Sequence, residues 1–231
     1  MITINKLTKT YGKDESLFTA LSDISLDIAD KASVAIIGKS GSGKSTLMHI
    51  MSGLDHPTGG TVLIDGENIF KMKAKNMDNF RANEMSFIFQ SFFIEANQTC
   101  FQNVMLPLEI AKTPLTKRKK LVMDALSSVE LESKSNVLAG NLSGGQKQRL
   151  AIARAIVNKP SIVFADEPTG NLDSSTGDKI MQLLFDLNKK IGCTLILVTH
   201  DIDLAKKCQA QVSLKDGRIE SITPQNNKVV S

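Results

Sequence analysis

The sequence is short of cysteine and of long apolar runs, and each shortage removes a class of protein. Its three cysteines, Cys100, Cys193 and Cys208, lie far apart in 231 residues, and none belongs to a CxxC pair. Neither a disulfide framework nor a cysteine zinc site is expected, and a reducing cytosol suits such a chain. The longest apolar runs, such as VAIIG at 34–38 and LILV at 195–198, fall far short of the roughly 20 residues that cross a bilayer. The opening stretch MITINKLTKTYGKDE has no apolar region of the secretory kind. A soluble protein is expected, whose work on a membrane would pass through another chain. Excess charge is small too: a net charge of +4 fits anionic partners or lipid headgroups but is thin support for nucleic-acid binding. Internal repeats are absent, and low complexity is confined to the polar tail after Pro224.

What the chain does have is an alternation of strand and helix signals. Ile2 and Ile4 alternate with polar residues, and LSDISLDI at 21–28 has spaced apolar positions, so the first thirty residues read as β-structure. Residues 33–37 form an apolar run ending in a glycine-rich turn, with a helix from Lys44 onward. Strands are expected at about 61–64 and 85–89, with a turn at Asp65-Gly66. From about 91 to 158 strand signals vanish, and helical stretches carry most of the charge runs. IVFAD at 162–166, a helix near 175–191, TLILV at 194–198 and a hairpin through Lys215-Asp-Gly-Arg218 follow. Apolar strands interleaved with helices predict an α/β fold with a parallel sheet covered by helices, and the middle block reads as an inserted helical lobe.

The turn after the third strand is Gly38-Lys39-Ser40-Gly41-Ser42-Gly43-Lys44-Ser45, followed by Thr46. It fits the P-loop pattern GxxxxGK[ST]. Glycines let backbone N–H groups close around phosphate oxygens, Lys44 can reach the β/γ-phosphates, and the Ser45 hydroxyl can ligate Mg²⁺. Its context, an apolar strand before and an amphipathic helix with Leu47, Met48 and Met51 after, is the one the pattern requires. This is a nucleotide site.

IVFADE at 162–167 ends a buried strand on two adjacent carboxylates, which need cations or water to offset their burial. Asp166 could hold the Mg²⁺ shell and Glu167 could polarise an attacking water. The stretch NLSGGQKQR at 141–149 poses a further question. A serine and two glycines ahead of a helical pattern make an anion site from a helix N-terminus, a second one in a chain that already has a P-loop.

LSGGQ placed between a P-loop and such an acidic strand resembles the signature motif of ATP-binding-cassette (ABC) ATPases. The resemblance spans nearly the whole chain, with motifs in the family's order. Tyr11 in KTYG matches the aromatic that stacks on adenine, and Gln90 after FIF matches the Q-loop. Asn171-Leu172-Asp173 matches the D-loop, and His200 in LVTHD matches the switch histidine. The resemblance implies a P-loop NTPase (RecA-like) core with a parallel sheet, an N-terminal antiparallel β-subdomain and an inserted helical subdomain. On that reading residues 1–231 are one cassette, with core and β-subdomain at 1–90 and 159–231 and the helical subdomain at 91–158.

The resemblance also implies ATP and Mg²⁺ as ligands and in-line attack of water on the γ-phosphate. Glu167 would be the base, His200 would contact the γ-phosphate, and Lys44 would stabilise charge. Ser45 and Gln90 would ligate Mg²⁺, with Asp166 acting through water. Two cassettes would pack head to tail around ATP, so that Ser143, Gly144, Gly145 and Gln146 of one cover the nucleotide on the P-loop of the other. Asp173 would couple the two sites. The second anion site would then be the other half of a shared one.

The stretches SGLDHPTGG (52–60), FIFQSFF (87–93), NVMLPLEIA (103–111) and ADEPTGNLDSSTG (165–177) look like the lipoprotein-release and macrolide-export (LolD/MacB-like) subfamily. That likeness implies a permease of FtsX/MacB-like type and a place on the inner face of the cell membrane, in the cytoplasm, with no nucleic acid bound. An FtsE-like or sensor-type regulator without cargo is the alternative, and a soluble ABC ATPase is disfavoured because no coiled-coil insertion is present. The sequence departs from the usual pattern at Lys39, where proline is common, and at Lys31-Ala32, where the family has glycine and glutamate. Residues 94–98, IEANQ, replace an apolar, proline-containing stretch in a segment that faces the permease.

Three weaker signals carry two readings each. Phe92 and Phe93 either line a groove for a permease helix or pack within the lobe, whereas Phe87 and Phe89 read as core. The basic run KTPLTKRKK at 112–120 is either a solvated helix start with Thr116 as N-cap or a contact for anionic lipid. His200 could instead merely cap the following helix. Met48, Met51, Met77, Met105 and Met123 have no ligand spacing and read as core.

Overall fold

A computed structural model describes residues 1–224 and 229–230; positions 225–228 and 231 of the polar tail lie outside the described residues. In chain order the elements are β1 (Ile2–Tyr11), β2 (Phe18–Ile28), β3 (Ser33–Ile37), α1 (Lys44–Met51), β4 (Gly59–Ile64), β5 (Glu67–Asn68), α2 (Ala74–Glu84) and β6 (Met85–Phe89). They continue with α3 (Cys100–Ile110), α4 (Leu115–Ser128), α5 (Gly144–Ile156), β7 (Ile162–Asp166), α6 (Ser174–Ile191), β8 (Thr194–Val198), α7 (Ile202–Ala205), β9 (Ala210–Lys215) and β10 (Arg218–Pro224). The chain divides into two compact units, residues 1–78 with 194–231 and residues 79–193.

In the first unit β2, β1, β4 and β5 form an antiparallel sheet in that order. Ile2 and Ile4 are buried while their neighbours are not, as alternation on a half-buried strand requires. β3 pairs in parallel with β8 on one side and β9 on the other, and β9 turns back into β10. Val34, Ala35, Ile36, Leu195, Ile196 and Leu197 are all fully buried, so these strands read as unbroken apolar runs rather than alternating ones. The hairpin turns use Asp65-Gly66 and Asp216-Gly217, each with both residues at positive φ, the geometry that suits the twist of tight hairpins. The turn before β3 lacks glycine, and Lys31 itself adopts the left-handed conformation, φ 62°, where its N–H donates to Thr194 Oγ1 at 2.9 Å.

In the second unit β6 and β7 pair in parallel with Phe89 opposite Asp166, and α3, α4 and α5 pack on one another. Two sequence expectations are corrected here. The N-cap of α4 is Pro114, not Thr116, because the proline's fixed φ ends the preceding turn and starts the helix two residues earlier. Of the five methionines expected in the core, Met48 and Met51 are buried, whereas Met77, Met105 and Met123 are only partly so. The sequence reading also missed α2, which buries no residue and so has no apolar stripe to detect. The IEANQ departure has a structural counterpart. Buried Asn103 accepts from Glu95 N–H at 2.8 Å and its amide donates to the carbonyls of Glu95 and Thr99, while Arg154 of α5 donates to the Phe92 carbonyl at 2.9 Å and to that of Phe93. Among the described residues no helix is long and apolar enough to cross a membrane.

Candidate nucleotide site

The residues singled out in the sequence fall into two groups, one on each unit. On the first, the P-loop joins β3 to α1, and three of its glycines have positive φ: Gly38 at 153°, Gly41 at 80° and Gly43 at 100°. Two of them also lack room for a side chain. A β-carbon at Gly38 would lie 2.3 Å from the Leu214 carbonyl oxygen, and one at Gly43 2.7 Å from that of Ala20. At these two positions backbone lies too close for any residue but glycine, as a P-loop packed against neighbouring strands requires. Lys39, Ser40, Gly41 and Ser45 are exposed, and Thr46 is half-buried. Lys44 Nζ donates to the carbonyls of Gly38 and Lys39, both at 2.9 Å, which leaves the third ammonium donor for an anion. No acidic residue sits in the first turn of α1 to compensate its positive end. A cavity of about 600 Å³ adjoins the loop, lined also by Ser213, Lys215, Asp216 and Glu220.

His200 lies one residue beyond Thr199, whose N–H donates to the Ile36 carbonyl at 3.2 Å. It thus stands, exposed, past the C-terminal end of β8 and beside the strand that leads into the P-loop. The alternative reading of His200 as a cap fails, because the N-cap of α7 is Asp201, which accepts from the N–H groups of Asp203 and Leu204.

Tyr11 ends β1 and is 40% exposed. Its hydroxyl donates to Asp55 Oδ2 at 2.7 Å, Lys9 Nζ binds Asp55 Oδ1 at 2.7 Å, and that ammonium sits 4.6 Å from the ring centroid. Burial raises the Tyr11 phenol, and the bond to Asp55 raises it further. Burial alone would raise the Asp55 carboxyl too, but the bonds from Lys9 and Tyr11 outweigh it and hold the group below its ordinary value. The sequence reading overlooked Lys9 and Asp55. The signal for Lys9 was its spacing, since residues two apart on a strand share a face.

On the second unit, the β6–β7 register sets Gln90 and Glu167 each one residue past a paired strand end. Gln90 is exposed, and its carbonyl accepts from Asn171 Nδ2 at 2.9 Å while its own Nε2 donates to Asn171 Oδ1 at 3.3 Å. Glu167 adopts a left-handed backbone, φ 45°. Asp173 is the N-cap of α6, accepting from Thr176 N–H at 3.0 Å; a hydrogen bond from the Thr176 side chain chiefly holds its carboxyl below the ordinary value, and this backbone bond adds to it.

Ser143 is the N-cap of α5. Its Oγ accepts from Gln146 N–H at 3.4 Å and Gln146 Oε1 accepts from Ser143 N–H at 3.1 Å, a capping box. The box occupies two of the donors at this helix start, so the N–H groups of Gly144 and Gly145 remain without an intrahelical acceptor. With no acid in the first turn, α5 presents an uncompensated positive end there. Gly145 has a second reason to be glycine: a β-carbon would lie 2.7 Å from Thr176 Cγ2.

The ABC transporter family model matches residues 21–170. The chain belongs to the ABC ATPase family. It is 43% identical over 219 residues to the lipoprotein-releasing system ATP-binding protein LolD of Syntrophotalea carbinolica, covering 95% of this chain and 96% of that one. It is 42% identical over 224 residues to an uncharacterized ABC transporter ATP-binding protein of Methanocaldococcus jannaschii, MJ0796, covering 95% of each. A dimeric structure of the MJ0796 cassette in a post-hydrolysis state, bound to ADP and Pi, superimposes with a TM-score of 0.87 at 40% identity, covering 98% of this chain and 99% of that one. This ABC cassette is an ATPase that binds ATP with Mg²⁺, and its fold is α/β with an N-terminal antiparallel sheet.

The residues present fit those ligands. The P-loop is closed against side chains at Gly38 and Gly43, and Ser42 Oγ is buried without a partner. Among the described residues no group of three or more His, Cys, Asp or Glu could cage a metal.

Proposed function

We propose that this ATPase energises a separate membrane permease of FtsX/MacB-like type, in export, lipoprotein extraction or mechanotransmission. The observation that carries the reading is the 43% identity to LolD along 95% of the chain. A groove of about 290 Å³ on the second unit supports it, lined among others by Arg81, Met85, Phe89, Leu106 and Ile110. Its apolar floor and basic rim suit an amphipathic helix. Phe93, 66% exposed and edge-on to Phe89 at 5.2 Å, extends the apolar surface beside Gln90, whereas Phe87 stacks on buried Phe164 at 5.5 Å. The cassette works in the cytoplasm on the inner face of the membrane, held there by its permease, with no nucleic acid bound.

Two copies pack head to tail, Ser143, Gly144 and Gly145 of one meeting the γ-phosphate held by the other's P-loop. The dimeric MJ0796 structure and the free donors at the start of α5 support this arrangement. Tyr11 stacks on the adenine. Glu167 accepts the proton of the attacking water, His200 contacts the γ-phosphate, and Lys44 offers its third donor to the charge that develops there. Ser45 and Gln90 would hold Mg²⁺, with Asp166 acting through water, and the bound ion would supply neutralisation of phosphate charge. Asp173, next to the signature helix in the second unit, couples the two halves of the dimer.

The test is affinity capture of the Glu167→Gln protein from solubilised native membranes with ATP and Mg²⁺, followed by mass spectrometry. Recovery of a permease with few membrane helices and a large external domain is expected. The same permease carrying a cell-wall enzyme and no cargo would favour the regulatory alternative. A soluble or nucleic-acid partner would overturn the permease assignment.

A further inference from the structure

The turn that follows the candidate base is held by a side chain from the signature helix. Glu167-Pro168-Thr169-Gly170 is a β-turn closed by Gly170 N–H donating to the Glu167 carbonyl at 3.0 Å. Pro168 occupies its second position, where a fixed φ is favoured, and Thr169 is not among the residues of positive φ. The two common turn types with proline there differ by a flip of the central peptide, here the one between Pro168 and Thr169. Gln148, in the second turn of α5, is fully buried and donates from Nε2 to the Pro168 carbonyl at 2.6 Å. That bond fixes which way the central peptide points. It also decides the amide's orientation, since a carbonyl oxygen turned toward Pro168 would meet an acceptor. Gln148 Oε1 is buried and has no partner, so the side chain sits in this pocket for its donor alone.

What the bond restrains is costly by itself. Glu167 has φ 45°, a region that non-glycine residues seldom adopt, and the proline after it disfavours it further. Such a conformation persists only where surrounding contacts over-determine it. The turn's own hydrogen bond is one restraint and Gln148 is another. The start of α5 is tied to the same region, with Gly144 against Leu172 and Gly145 against Thr176.

We propose that Gln148 is a positioning residue, which sets the orientation of the Glu167–Pro168 turn and thereby the aim of the Glu167 carboxylate. It acts through the Pro168 carbonyl that its Nε2 binds. The proposal rests on the reading of Glu167 as the base, and its test separates the two. Gln148→Met keeps the length and apolar stem but removes the donor. ATP affinity, read with a fluorescent nucleotide, should stay within about two-fold, and the P-loop lies on another element. The turnover number should fall about 10- to 100-fold, the scale expected when a reacting group is misplaced by an ångström or less. Pro168→Gly, which loosens the turn without entering the α5 pocket, should give the same split should Gln148→Met fail to fold. The deciding measurement is single-turnover hydrolysis of radiolabelled ATP by Gln148→Met, Glu167→Gln and the double variant. If Gln148 acts through Glu167, adding Gln148→Met to Glu167→Gln costs no further rate. An equal fall in both backgrounds, or a wild-type rate in Gln148→Met, overturns the proposal. A wild-type rate in Glu167→Gln alone overturns the base assignment instead.

Discussion

Single residues in this cassette do more than the sequence motif assigns to them. Tyr11 is oriented by Asp55, which is itself held by Lys9, so the ring proposed to stack on adenine rests on an ion pair that no motif mentions. The Asp55 carboxyl is held below its ordinary value and therefore stays ionised in the folded state at pH values where the unfolded chain has taken up a proton. Its contribution to stability is present above the ordinary carboxylate value near 4 and lost as pH falls through the folded value. The pair is only partly shielded, so this contribution is on the order of 1 kcal/mol. We expect Asp55→Asn to lower Tm at pH 7 and the gap from wild type to narrow as pH falls below the ordinary carboxylate value near 4. A gap that stays constant over that range would show that the ion pair is not its source. A similar economy holds at Gly145, read from the sequence as a phosphate donor and found also to make room for Thr176.

At the scale of elements, the P-loop strand–turn–helix was readable because its requirements are local: an apolar strand, glycines at positive φ, a lysine in the first helical turn. The strands β6, β7 and β8 appear at the bounds their apolar runs suggest. α2 was not readable, since it hides no apolar face. The turn before β3 shows a local rule broken and compensated: Lys31 takes a glycine's conformation, anchored to Thr194 Oγ1. Lys31→Gly should therefore stabilise the protein by roughly 0.5–1 kcal/mol, because the left-handed strain is relieved while the N–H bond remains. Urea unfolding would measure it, and a midpoint that falls instead would mean that the lysine side chain contributes more than its backbone costs.

For the whole molecule, the N–H groups of Gly144 and Gly145 have no intrahelical acceptor, and the proposed head-to-tail dimer would give them one. Ser143→Arg places a long cation at that helix start and removes the capping hydroxyl. In the Glu167→Gln background it should abolish the ATP-dependent dimer in size-exclusion chromatography with light scattering. A dimer that persists would refute the shared site. The two-unit division at residues 79–193 takes in β6, β7 and α6 besides the helical block. Their helix–helix packing and parallel pairing join residues far apart in sequence.

Membership in the ABC ATPase family was legible in the motifs alone. Lys44, Ser45, Gln90, Asp166, Glu167, Ser143 and His200 stand in motifs whose spacing is set by backbone geometry over a few residues, and such geometry is written locally. What holds those residues in place became visible only once the elements were packed together. Asn103 and Arg154 pin the segment after Gln90, Gln148 grips the Pro168 carbonyl, and Thr176 closes on Gly145. Each of these contacts satisfies a buried polar group or fills a gap between segments distant in the chain. A buried donor must find an acceptor, but which one it finds depends on how the elements pack, and no local pattern carries that information.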